Sequence, residues 1–206
     1  MSRTRIPLAA LAAGAAVVFT GAWAVIGVLD GEDASRVTIS HLGAQAAPHG
    51  GWMVAALVAQ GVGQVANAVL VRRELGQRGV PLALLAAGAG TLGAGLLRVP
   101  APDVAAEGTA TGHAVAATVS FVGLHVAALS GALSPRLPRW LRGTAVLALA
   151  VALPNLAWFL LRPNGSDTWS GGSERTFVTV LVAWCVALAC WCGQQPDAPQ
   201  RRAPVR

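Results

Sequence analysis

The side chains able to do chemistry in this sequence gather in three stretches separated by long apolar runs. Ser40, His41 and His49 lie in the first, Asp103 and His113 in the second, and Glu174-Arg175 in the third. Imidazole and carboxylate together suit Zn²⁺, which takes three protein ligands and keeps a water in a catalytic site. A water held that way becomes a nucleophile near neutral pH. His41, His49, Asp103 and His113 are therefore candidate metal ligands, and Ser40, Asp103 and His113 candidate catalytic groups for metal-assisted hydrolysis. The competing reading is an ion-pair clasp, with Asp103 and Glu174 on Arg98, Arg175 and protonated His113. Structural ion-pair networks gather the same residue types.

The elements that must position these groups are membrane helices. The chain has 206 residues, 54% hydrophobic and only 12% charged, with no Lys and no Tyr. Soluble domains carry roughly a quarter charged residues. Six apolar segments, about 7–28, 52–71, 81–98, 113–134, 144–162 and 176–193, each approach the ~20 residues that ~30 Å of hydrocarbon requires. Arg3, Arg5 and Ala22-Trp23-Ala24 imitate a signal peptide, but the first apolar run exceeds the usual ~7–15 residues. The expectation is one all-α, polytopic domain over 1–193 and a disordered basic tail over 194–206.

Orientation follows from the arginines. The N-terminus, the connections holding Arg72, Arg73, Arg78 and Arg136, Arg139, Arg142, and the C-terminus carry 11 of the 15. The opposite side holds seven of the nine acids, including Asp30, Asp33, Asp103 and Glu174. Basic loops stay cytoplasmic, so both termini are expected inside a cell inner (plasma) membrane. The net charge of +6 then reflects the bilayer and not nucleic acid.

The outer connections are long and polar. In the first, Asp33 or Ser35 could cap a short helix, with Val37 and Leu42 resting on the membrane surface. Inside the spans, Gln60, Gln64 and Asn67 form a polar stripe at i, i+4 and i+7. Amides are costly in hydrocarbon, so the stripe should face the bundle interior. His113 and Ser120 share one face of the fourth span, Thr118 and His125 another. His125 lies about 18 Å below His113 at 1.5 Å per residue, near mid-membrane. It could relay protons or contact a ligand, or bond Thr118, Gln60 or Asn155 as a neutral ring. Pro154 should kink the fifth span. Haem is not expected, since paired ligation needs facing histidines and only His125 is clearly inside. Cys185, Cys190 and Cys192 fit no metal spacing and are expected as thiols. Gly88, Gly90, Gly93 and Gly95 in the third span allow close helix packing or a homo-oligomer.

Ile39-Ser40-His41-Leu42-Gly43, Pro100 to Asp103 followed by His113, Glu174-Arg175 and Trp184 form an ordered set. With that set the chain resembles the bacterial six-helix membrane proteins catalogued as the domain-of-unknown-function 998 family, over nearly its whole length. The chain departs from the family's pattern at Val99, where an aromatic is usual, and in its second proline, Pro102. The resemblance implies fold and membrane residence and no activity.

Two function classes stay open. One is an extracytoplasmic pocket of His41, Asp103, His113, Glu174 and Arg175, with Gln60, Gln64 and His125 below. It would bind a lipid or small ligand, or Zn²⁺ for hydrolysis. The other is a non-enzymatic partner or small transporter using the intramembrane stripe. Membrane lipids are the expected partners of both.

Overall fold

The computed structural model describes residues 5–100, 107–161 and 169–195. Six long helices, α1 (Arg5–Leu29), α3 (Gly50–Leu75), α4 (Gly79–Leu96), α5 (Glu107–Leu133), α6 (Arg139–Leu161) and α7 (Ser170–Gln194), accompany a single-turn α2 (Ile39–Leu42). Each long helix is long and apolar enough to cross a membrane. No strand occurs among the described residues. Helices satisfy their backbone internally, which a bilayer requires. The chain is an all-α, multi-pass membrane protein.

All six expected spans are present, but their ends differ. α5 begins at Glu107 and α7 at Ser170, each six residues ahead of the hydropathy boundary. Hydropathy marks the hydrocarbon crossing, whereas a helix continues while its backbone stays paired. In α7 the added turn is buried, with Ser170, Ser173 and Glu174 at 3%, 0% and 2% exposure. Tertiary cover, not apolar composition, keeps it helical. α3 likewise continues to Leu75 and stops at Gly76, whose left-handed φ of 60° directs its N–H to Arg72 O at 3.2 Å.

Consecutive long helices are neighbours, and α7 packs back on α1, so the six close into a ring. α7 also touches α3 and α5, which makes it the most central. The ring packs on small residues. A Cβ at Gly90 would strike the α5 backbone at Ser120 N and Ala116 O, and one at Gly88 would sit 2.9 Å from Gly61 O of α3. Gly93 and Gly95 likewise face Ala116 and Leu57. The close approach that these glycines permit is used within one chain. Trp184 of α7 lays its ring on Gly131 of α5 and donates its Nε1–H to Leu141 O of α6 at 3.1 Å. Phe121, Phe159 and Phe177 join the same three helices edge to face, with centroids 4.9 to 6.1 Å apart. α6 runs through Pro154 without interruption, and the Asn155 amide bonds Val151 O of its own helix at 2.9 Å.

Candidate functional site

The acidic end of the bundle is covered by residues 34–45 of the first connection, and the charged side chains of that end hold it there. Asp33 begins the fold: its carboxylate accepts the Ser35 N–H at 2.9 Å and the Ser35 hydroxyl at 2.6 Å. Those two bonds hold the carboxyl below the usual carboxylate range. From α7, Ser170 Oγ donates to Arg36 O at 3.0 Å and Gly172 N–H to Ser35 O at 3.0 Å. Arg175 donates through Nη1 to Ala34 O at 2.6 Å and also to Val37 O. Its guanidinium lies 5.4 Å from the Trp23 ring. Glu174 Oε2 accepts the Ile39 N–H at 2.6 Å, occupying a free amide of the first turn of α2. Gly171 has no side chain because a Cβ would collide with Val37 O.

Arg98, at the end of α4, fastens the far side. It donates to Gly43 O at 3.0 Å and Ala44 O at 2.6 Å, while Gln45 N–H reaches Val99 O at 2.9 Å. Gly50 makes room, since a Cβ there would sit 2.5 Å from both Ala44 O and Arg98 Nη2. Among the described residues, Arg98 and Arg175 therefore serve backbone carbonyls, and Glu174 binds an amide instead of either arginine. A loop folded over apolar helix ends leaves carbonyls without water, and guanidinium supplies the donors. A short helix is present, as expected, but it runs Ile39–Leu42 with Thr38 at its N-cap, too late for Asp33 or Ser35 to cap it. Leu42 is 1% exposed and seals the core beneath, instead of resting on the membrane surface.

Under this roof is a cavity of about 40 Å³. Ser40 and Ile39 of α2 and Glu174 of α7 form its upper part. Gln60 and Gln64 of α3, Thr91 of α4, and His113 and Ser120 of α5 line one side; Phe19, Phe121, Leu124, Val178 and Val182 supply apolar lining. Thr91 is the hub of the polar groups. Its hydroxyl meets Gln64 Oε1 at 2.9 Å, Ser120 Oγ at 2.8 Å and Ala87 O at 2.9 Å. Two acceptors on its wall lack partners among the described residues: Gln60 Oε1 and His113 Nε2 are buried with no hydrogen bond. His113 Nδ1 faces two carbonyls, Ala94 O at 3.0 Å and Leu97 O at 2.8 Å, so that nitrogen carries the proton. Its Nε2 then presents a lone pair. Gln60, Gln64 and Val182 also wall a smaller cavity that extends to Asn67 and Cys185, where the Asn67 amide donates to Cys185 O at 2.9 Å.

The structure thus brings Ser40, Gln60, Gln64, His113 and Glu174 to one cavity. His41 points to Thr38 Oγ1, 2.6 Å from its Nδ1; burial away from water and the nearby His113 push its pKa below the ordinary histidine value. His49 pairs with Asp30 and meets the Trp52 ring edge on. Arg175 binds the roof. His125 makes none of the interhelical bonds expected for it: its Nδ1 bonds Phe121 O of its own helix at 2.8 Å, and its ring lies 6.0 Å from Phe177. Thr118 likewise bonds Ala114 O. Asp103 lies outside the described residues. Among those described, no three His, Cys, Asp or Glu side chains converge where they could hold a metal ion. Thr91 was not singled out from sequence, although it is the one hydroxyl within the glycine-rich segment, a usable signal. Arg98 as a loop clamp gave none.

The chain belongs to the family described as Protein of unknown function (DUF998), which matches residues 11–191. No curated protein and no solved structure matches it.

Proposed function

We propose that this DUF998 member is a membrane-embedded binding protein for a small molecule whose polar end donates hydrogen bonds, an alcohol or an amine. The site is the cavity beneath α2. One observation carries the reading: Gln60 Oε1 and His113 Nε2 are buried acceptors on the wall of that cavity, both without a donor. A buried acceptor left unmade costs ~1–3 kcal/mol, which a donating occupant recovers. Apolar side chains from Phe19, Phe121 and Val178 suit a hydrocarbon portion. At about 40 Å³ the cavity accepts a few waters or the end of an amphiphile, so a larger occupant requires α2 to move aside.

The test is thermal unfolding of purified protein with octanol, octylamine and octane at matched partitioning. Octanol or octylamine should raise the midpoint and octane should not. Ala117→Leu, which fills the cavity, should abolish the effect. Equal shifts by all three, or an unaffected variant, would reject the reading.

A second reading is supported by the continuity of the polar groups. Gln60 and Gln64 border both cavities, and the second leads on to Asn67. A small solute passing along that stripe would make the protein a transporter. Flux of the same amine into proteoliposomes distinguishes transport from binding alone.

A further inference from the structure

We propose that the arginine-rich end of the bundle carries a seat for the phosphate of an anionic glycerophospholipid, formed by Arg139 and Arg142 at the junction of α5 and α6. This site is independent of the cavity under α2. A pocket of about 360 Å³ there is lined by Ala132, Arg139, Arg142, Gly143 and Val146. That volume falls in the ~300–1,000 Å³ range of ordinary small-molecule sites.

Three features fit it to a lipid phosphate. Arg139 and Arg142 are three apart on one helix, so both guanidinia reach the same face. Arg142 is positioned in advance: its Nε–H donates to Ala132 O at 3.2 Å, leaving the two terminal amines for a ligand. Arg139 has no hydrogen-bond or ion-pair partner among the described residues. Glu74, the acidic residue described at that end, is already paired with Arg5 at 3.0 Å. The positive charge at the pocket is therefore uncompensated, and paired guanidinium forks match the two free oxygens of a phosphodiester. Below the arginines the lining turns apolar. Val146, on the pocket wall, is 58% exposed, a surface for an acyl chain that free phosphate would leave uncovered. Trp140, 52% exposed beside Arg139, suits the headgroup level at which indole rings gather.

Native mass spectrometry of the purified chain, with phosphatidylglycerol titrated against phosphatidylcholine, tests this. The expected result is one phosphatidylglycerol retained at about tenfold lower concentration than phosphatidylcholine. Arg139→Gln with Arg142→Gln should erase the preference. Gly143→Leu provides the stricter control, because a Cβ at Gly143 meets nothing within 4 Å and the fold tolerates it. That variant keeps both charges, fills the pocket and should also erase the preference. Retention by Gly143→Leu would mean diffuse attraction and would overturn the seat. Equal retention of both lipids by the unsubstituted chain would do the same. Displacement by millimolar inorganic phosphate would assign the pocket to free phosphate and overturn the lipid reading.

Discussion

Glu174 Oε2 accepts the backbone N–H of Ile39 at 2.6 Å, joining residues 135 positions apart. One carboxylate thereby links the last helix to the roof over the cavity. Glu174→Ala should leave that amide buried and unpaired, at a cost of ~1–3 kcal/mol. Glu174→Gln keeps an acceptor and should lose less. Amide hydrogen exchange across residues 38–42 reads the difference directly. Exchange in the alanine variant as slow as in the parent would show that the bond does not secure the roof.

The roof should also loosen in acid. His41 in the folded chain sits below its ordinary pKa of 6.5, because burial away from water and the neighbouring His113 disfavour its charged form. The unfolded chain therefore binds the proton first as pH falls. Stability present above about pH 6.5 is lost as pH drops toward the lower folded value. Relative to the intrinsic exchange rate at each pH, residues 38–42 should be less protected at pH 5 than at pH 7.5, and His41→Asn should flatten that dependence. A dependence that survives the substitution points to another group.

Helix contact through glycine predicts effects of opposite sign. Gly90→Ala drives a methyl into the backbone of α5 and should cost ~1–3 kcal/mol or more. Gly14→Ala meets nothing within 4 Å and should gain up to ~1 kcal/mol from helix propensity. Thermal midpoints in detergent compare the two. Equal effects would contradict the α4–α5 contact.

His125 should be nearly dispensable for stability. Its Nε2 is buried without a partner and its Nδ1 bonds only within α5. His125→Leu removes that orphan atom while losing a ring contact with Phe177, so the net change should stay within ~1 kcal/mol. A loss larger than that would require an interhelical bond.

Orientation is tested by single cysteines in a cysteine-free background. Gly51 and Gly108 suit one end and Gly143 the other, since a side chain at each meets open space. Gly171 is unsuitable, being buried against Val37 O. From the arginine asymmetry, membrane-impermeant reagent added to intact cells should label positions 51 and 108 and spare 143. The reverse pattern would invert the topology.

The six spans were legible because ~20 apolar residues leave a chain few options in water. The inward face of Gln60 and Gln64 was legible too, since amides have a fixed reason to avoid lipid. The mouth was not. Arg98, Glu174 and Arg175 look like members of an ion-pair or metal cluster when only their charges are known. Among the described residues their partners are the carbonyls of Ala34, Val37, Gly43 and Ala44 and the amide of Ile39. Which backbone groups a folded loop strands away from water is a property of its path, and residue type does not encode it. His113 shows the same limit: its spacing aligned it with Ser120, but the carbonyls that fix its tautomer lie in the last turn of α4 and at Leu97 just after it.

The distance along the chain between Ile39 and Glu174 also sets an order of events at the ribosome. At ~5–20 residues per second, synthesis reaches Glu174 about seven to twenty-seven seconds after Ile39. Throughout that interval the amide of Ile39 and the carbonyls of Ala34 and Val37 lack the groups that will bind them. The roof therefore cannot close until α7 has been made, although it is encoded near the beginning. A nascent chain arrested before α7 would hold five inserted helices and an open mouth.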